Sequence, residues 1–353
     1  MSPDLALQTL RHSADLGQAP SLDAHVEALR EFLGGELERV ESELPEALGE
    51  SIAPLVETGV HLIRAGGKRI RPILTLLSAG CVGVTGPEVR RLACAGELVH
   101  LASLLHDDVV DNADLRRGVD TPRIIWSNTA SVLGGDYALT RALEMVGSLP
   151  QREPLMEAVT TLRELVEGEV IQLQHRGTGT LTMADYQAII DRKTASLFRW
   201  CCRAGVWMSS ETQYTAPLGE FGFSLGACFQ IVDDVLDVTA AMEDSGKEPF
   251  TDLFDGKLTL PVLLALEALP AFRAPLITVF TALRANDPTA HEQAAAFIQA
   301  FVPALHTCGA LQRARAMAVG AAQTAIHSLY AVPPSEHRDA LETIASSLAQ
   351  RMR

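Results

Sequence analysis

The chain has 353 residues, with 29 Lys and Arg against 44 Asp and Glu and a formal charge of −15. An apolar fraction of 47% supplies a large core and excludes disorder as the main state. The negative balance repels a polyphosphate backbone, and 5% aromatic content excludes a stacking platform for single strands, so no nucleic acid is expected as a partner.

Residues 1–21 read as a flexible N-terminal tail without a signal-peptide pattern. From 23 to 44 the apolar residues Val26, Leu29, Phe32, Leu33, Leu37 and Val40 fall near one helical stripe. Helical spacing continues over 51–65 and 70–82. Pro87 opens a segment that runs to Asp111, because a proline in the first turn has no N–H to leave unpaired. Further helices are predicted at 129–147, 153–174, 183–209, 217–240 and 259–270. Shorter ones follow to the end, one of them starting at the Pro333-Pro334-Ser335 break.

Strand alternation is nearly absent. Segments 91–106 and 218–232 are apolar almost all round, which marks central helices surrounded by others. The expected fold is therefore all-α, a single large bundle over 22–353. Cys81, Cys94, Cys201, Cys202, Cys228 and Cys308 include no CxxC pair and read as small buried hydrophobes, which suits a reducing cytoplasm. No stretch of 18 uncharged apolar residues spans a bilayer.

Two motifs carry the chemistry. In Leu104-Leu105-His106-Asp107-Asp108-Val109-Val110-Asp111, Asp107 and Asp111 are one helical turn apart and Asp108 flanks them. Three carboxylates there repel one another, and they sit at the wrong end of the helix dipole. A solvated helix end is the bland reading, but the preceding run is apolar, which favours ligation of a hard cation, Mg²⁺ above all. Phe229-Gln230-Ile231-Val232-Asp233-Asp234-Val235-Leu236-Asp237 repeats the pattern at the end of another apolar helix. With 19 aspartates in the chain, random placement gives roughly 0.05 such patterns per chain, so chance is a poor account of two.

The expectation is that both sets face one cavity and hold a diphosphate through ions. Gly66-Gly67-Lys68-Arg69-Ile70-Arg71-Pro72 is a cationic loop opening a helix, a setting that suits phosphate. Arg116-Arg117, Lys193-Thr194, Lys247 and Lys257 would each be ordinary surface residues alone; they gain weight beside the aspartates.

These motifs resemble the trans (head-to-tail, E-type) polyprenyl diphosphate synthases from about residue 22 to the C-terminus. The matching stretches are GGKRIRP at 66–72, LLHDDVVDNADLRRG at 104–118, GGDY at 134–137 and EGEVIQL at 167–173. KTASLF at 193–198, FQIVDDVLD at 229–237 and DGKLTLP at 255–261 follow in order. The resemblance implies a bundle of the isoprenoid synthase type around a central cavity, a homodimer, and three Mg²⁺ per active site.

By resemblance, Asp107 and Asp111 hold two ions and Asp233 the third, with Asp108, Asp234 and Asp237 close by or acting through water. Arg116, Lys193, Thr194, Gln230, Lys247 and Lys257 match positions that grip the allylic diphosphate, whether geranyl, farnesyl or geranylgeranyl. Isopentenyl diphosphate takes a metal-free cationic pocket of Lys68, Arg71, His100 and Arg117. Without the resemblance, His100 reads as a satisfied core histidine. The family often has Pro at the position of Asp120 and Gly near Phe250, so the contacts of that second loop are left open.

Ser103, four residues before Asp107, and its neighbour Ala102 are small where the family uses large aromatics to floor the cavity. An open cavity implies a long product, heptaprenyl to decaprenyl, of the kind used for quinone side chains; a short farnesyl or geranylgeranyl product is the alternative. Release of such a product implies transient contact with a membrane surface, although no basic amphipathic anchor is present. A terpene cyclase would carry a different second metal motif and no Lys68, Arg71 and Arg117 pocket. A di-iron bundle needs two ExxH pairs, and Glu97-Leu98-Val99-His100 is the one found. A non-catalytic subunit predicts a damaged Asp set, and both are intact.

Overall fold

The structure, a computed structural model, describes residues 22–239 and 249–351; the expected tail at 1–21 lies outside the described residues. Backbone contacts divide the chain into two compact units with interleaved segments. The first contains Met1–Thr160, Leu197–Gly222 and Ser328–Ser347, and the second Thr161–Ser196, Phe223–His327 and Leu348–Arg353. Helices dominate both, as the periodicity predicts.

In chain order the first helices are α1 (Leu22–Leu33), α2 (Gly35–Ala47), α3 (Ala53–Arg64), α4 (Ile70–Cys81) and α5 (Pro87–Val110). The single helix expected over 23–44 is broken at Gly34, whose φ of 55° suits a residue without Cβ. Helix α5 behaves as its composition requires. Leu92, Leu98, Ala102 and Leu105 have no exposed surface, and the helix packs against α2, α3, α4, α6 (Pro122–Ile125) and α7 (Asn128–Gly147).

Glycine sets the closest of these approaches. A Cβ at Gly135 would stand 2.3 Å from His106 Nε2, and one at Gly134 would stand 2.2 Å from Thr58 Oγ1. The GGDY stretch thus lets α7 lie directly on the helix that carries the first Asp set. Tyr137 ties α7 to the end of α2 by donating its hydroxyl to the Leu48 carbonyl at 2.7 Å.

A feature the sequence reading missed follows α5. Strands β1 (Leu115–Arg116) and β2 (Val119–Asp120) form an antiparallel hairpin. Its two turn residues, Arg117 and Gly118, have φ of 53° and 78°, the all-positive pattern of a tight hairpin turn. Two residues per strand give no alternation to detect.

The chain continues through α8 (Glu153–His175), α9 (Met183–Ile190), α10 (Ser196–Ala204) and α11 (Thr215–Thr239). The helix expected over 183–209 is interrupted by a π-helical turn at Asp191–Ala195. After α12 (Thr251–Phe254) come α13 (Leu260–Ala268), α14 (Arg273–Arg284), α15 (Ala290–Thr307), α16 (Ala310–Ser328) and α17 (Glu336–Gln350). In the second unit α13 is buried from Leu260 to Leu266. Phe301 there lies 5.2 Å from the ring centroids of both Phe272 and Phe297. Among the described residues no single helix is long and apolar enough to cross a membrane.

Candidate active site

In the first unit, Asp107 and Asp111 are half-buried at the end of α5, and Asp108 is fully buried. Arg116 reaches back from β1 and donates Nε to Asp108 Oδ1 at 2.7 Å. Burial raises the Asp108 pKa above its ordinary value, the Arg116 charge opposes that rise, and the nearby Asp111 charge adds to it. Asp108 Oδ2 is buried with no hydrogen-bond partner. A hard cation takes this donor type, and two further carboxylates stand on the same helix end. Among the described residues no three His, Cys, Asp or Glu side chains already converge as a cage.

A second cluster lies earlier on α5. His100 and Arg117 line a small cavity with Arg69, Glu97 and the leucines Leu44, Leu62, Leu98, Leu101 and Leu104. Burial, then the charges of Arg71, Arg117, Arg116 and Arg69, hold the His100 pKa well below the usual range, so the ring is neutral at neutral pH. The Arg71 guanidinium lies 5.2 Å from the centre of the Phe198 ring. Arg117 packs against the GGKR loop so closely that a Cβ on Gly67 would meet its Nη1 at 2.9 Å. Lys68 is half-buried on that loop. The structure thus assembles His100, Arg71 and Arg117, and it adds Arg69 and Glu97, which the sequence reading did not assign to the site.

In the second unit a cleft of about 840 Å³, counted out to its open mouth, is lined by Lys193, Thr194, Gln230, Asp233, Asp234 and Lys257. All six were expected from the sequence. Gln172, His175, Arg176, Tyr186 and Asp252 also line it and were not assigned. Gln172 had a signal, since it lies in the EGEVIQL stretch; Tyr186 had none.

The π-helical turn explains how Lys193 and Thr194 come to face this cleft. One extra residue in the turn rotates the side chains after it, a device frequent at functional sites. Gly168 accommodates the bulge, because a Cβ there would lie 2.8 Å from the Lys193 backbone nitrogen. Thr194 donates to Gln230 Oε1 at 3.0 Å, and Gln230 Nε2 donates to Asp234 Oδ1 at 2.9 Å. Lys193 is ion-paired with Glu169.

Asp234, expected close to the ions or acting through water, is held by the protein itself. Its Oδ2 accepts from the Tyr186 hydroxyl at 2.8 Å and from the Leu260 backbone N–H at 2.9 Å, so both oxygens are taken by protein donors. Burial pushes its pKa up to about 7 against these hydrogen bonds. It ties α9, α11 and α13 together. Asp233 is exposed, and Asp237 is half-buried outside the cleft lining, its carbonyl accepting the Phe250 N–H at 2.8 Å. Lys247 lies outside the described residues.

A family model described as polyprenyl synthetase matches residues 53–298, more than half the chain. The chain belongs to the polyprenyl synthetase family. It is 35% identical over 92% of its length to the heptaprenyl diphosphate synthase component 2 of Geobacillus stearothermophilus, of which 99% is covered. It is 34% identical to the octaprenyl diphosphate synthase of Escherichia coli over 93% of this chain and 100% of that one. The crystal structure of a decaprenyl diphosphate synthase from Rhodobacter capsulatus superposes with a TM-score of 0.84 at 32% identity, covering 93% of this chain and 99% of the other. This polyprenyl synthetase is a prenyltransferase of isoprenoid biosynthesis with the all-α isoprenoid synthase fold.

The departure at Phe250 has a physical signature in this synthetase. Phe250 has a φ of 64°, which glycine adopts without a Cβ penalty, yet its ring is only 3% exposed. Replacing it by glycine relieves about 1–2 kcal/mol of backbone strain. Losing the buried ring costs about 3–5 kcal/mol, so packing wins. Phe250→Gly is therefore expected to lower stability by about 2 kcal/mol in denaturant unfolding; an unchanged or raised midpoint would show that strain dominates.

Proposed function

We propose that this synthase condenses isopentenyl diphosphate with an allylic diphosphate (geranyl, farnesyl or geranylgeranyl), head to tail, and makes a long-chain all-trans polyprenyl diphosphate for isoprenoid quinones. Residues 22–353 would work as one synthase domain in the cytoplasm. The observation that supports the reading is a pair of cationic clusters set in different chemistry. One sets Lys193 and Lys257 beside the carboxylates Asp233 and Asp252. The other gathers Arg71, His100 and Arg117, where Glu97 is engaged with Arg69.

Mg²⁺, three ions by the family pattern, would be held by Asp107, Asp111 and Asp233, with Asp108 and Asp237 nearby, and would neutralise the departing diphosphate. Lys193, Thr194, Gln230, Lys257 and Arg116 grip the allylic diphosphate and hold its carbon–oxygen bond in place; Lys247, outside the described residues, belongs to the same proposed set. Lys68, Arg71, His100 and Arg117 hold isopentenyl diphosphate, with the neutral His100 available as a hydrogen-bond donor. Apolar walls exclude water from the allylic cation, and the final proton passes to the diphosphate.

Product length rests on the helix before the first Asp set. Ala102 has no exposed surface, so of the two small residues Ser103 is the one with room beside it. Its hydroxyl donates back to the His100 carbonyl at 2.7 Å, which leaves an apolar tail no unpaired donor to desolvate. Relatives named for heptaprenyl, octaprenyl and decaprenyl products support a long chain.

A second copy is the proposed partner. On α8, Met156, Val159, Val166, Val170 and Leu173 follow heptad spacing with one position skipped between Val159 and Val166, and are 41–65% exposed. That is the seam of a helix made to meet another helix. The relative named component 2 favours a second reading, in which a different subunit is needed.

Purified protein given isopentenyl and farnesyl diphosphates is expected to yield a ladder ending between heptaprenyl and decaprenyl with Mg²⁺, and none with EDTA. A ladder ending at geranylgeranyl contradicts the long-chain reading, and no elongation by the protein alone favours the two-subunit reading. Ser103→Tyr is expected to shorten the ladder; an unchanged ladder removes Ser103 from the floor of the cavity. In sedimentation velocity the protein is expected as a dimer that Val166→Glu converts to monomer, whereas a dimer indifferent to that change does not use this seam.

A further inference from the structure

Within the cationic pocket of the first unit, one residue has no part in the reaction as derived above. Glu97 is 6% exposed, three residues before His100 on α5, and accepts a hydrogen bond from Arg69 Nη1 at 2.9 Å. Arg69 is turned toward it by a left-handed backbone (φ 52°, ψ 33°) at the start of α4, and its Nη2 donates to the Ile63 carbonyl at 2.9 Å. The only other carboxylate paired with Arg69 among the described residues is the more exposed Glu41, at 3.6 Å. Arg69 is therefore spent inside the protein, between two cations, Lys68 and Arg71, that are proposed to reach substrate.

The influence of Glu97 extends past this pair. Its charge favours the protonated guanidiniums of both Arg71 and Arg117, against burial and against the repulsion of those two arginines for each other. Arg71 is hemmed in, with its Nε buried and without a partner and its guanidinium near the Phe198 ring. Arg69 and Arg117 line one small cavity with Glu97, and Arg71 lies within reach of the charges of Glu97 and Arg117; guanidiniums so placed separate unless an anion stands among them.

We propose that Glu97 is a positioning residue for isopentenyl diphosphate, a resident carboxylate that keeps Arg71 and Arg117 gathered in the empty pocket so that the incoming diphosphate meets a preformed site. The proposal rests on the reading that Arg71, His100 and Arg117 receive that substrate. Deleting the carboxylate raises the net positive charge of the pocket, which by itself attracts an anion. It also leaves guanidiniums that the substrate must regather, and that reorganisation is subtracted from binding. Where guanidinium forks must match a diphosphate, geometry outweighs the added point charge.

The test compares variants by steady-state kinetics with each substrate varied in turn, alongside thermal unfolding. Glu97→Gln is expected to raise KM for isopentenyl diphosphate about tenfold while KM for farnesyl diphosphate and kcat stay within about twofold. Glu97→Asp is expected to recover part of the loss. Arg69→Gln breaks the same ion pair but leaves the carboxylate beside Arg71 and Arg117, so it is expected to cost similar thermal stability and keep that KM within about threefold.

Equal effects of Glu97→Gln and Arg69→Gln, or no effect of Glu97→Gln on this KM, would overturn the proposal, since a purely structural pair predicts them. If Glu97→Gln does not fold, the charge-balanced Arg69→Gln/Glu97→Gln pair is read in its place and is expected to show the raised KM. Arg117→Gln separates the two levels of the argument. If it leaves KM for isopentenyl diphosphate unchanged, the pocket reading itself fails. If it raises that KM and Glu97→Gln does not, only the role of Glu97 fails.

Discussion

Everything in the first unit turns on charge carried by a helix that is also the core. Helix α5 buries Leu92, Leu98, Ala102 and Leu105 completely, yet along its length it carries Glu97, His100, Asp107 and Asp108, with Asp111 as its C-cap. An isolated charge in such a place costs several kcal/mol, so each must be compensated or neutral. Glu97 is matched by Arg69, Asp108 by Arg116, and His100 is kept neutral by burial and the arginines around it. From Glu97 to Asp107 is ten residues, about 15 Å along the axis. One rigid element thus spaces the anchor of the cationic pocket from the first aspartates.

The second unit solves a similar problem differently. Among the described residues Asp234 accepts from neutral donors on three elements, the Tyr186 hydroxyl, the Gln230 amide and the Leu260 N–H. Gln230 carries the link on to Thr194, which the π-helical turn has presented. A carboxylate written as the middle of DDxxD thereby becomes a structural tie, while its neighbour Asp233 stays exposed at the cleft.

Much of this was legible in the sequence because helical periodicity is strong and the motifs are dense. The segment predicted from Pro87 to Asp111 is α5 to within a residue, and 70–82 and 51–65 are α4 and α3 with frayed ends. What escaped was what periodicity does not encode. The break at Gly34 depends on one φ angle, the hairpin around Arg117 on two, and the π-helical turn on a single inserted residue. Asp107 and Asp233 were legible because the DDxxD pattern recurs, and Lys193 only through the resemblance carried by KTASLF. Site residues were not legible where role comes from burial: Glu97 entered only as half of an ExxH pair, and Tyr186 carried no pattern.

The proposed function gives the chain two diphosphate sites of different chemistry, one that needs divalent metal and one that does not. Titration calorimetry of each substrate separately, in EDTA and then in Mg²⁺, tests it most directly. The account predicts that isopentenyl diphosphate binds with similar affinity in both conditions, while farnesyl diphosphate binds only with Mg²⁺. Metal dependence for both substrates, or for neither, would contradict it.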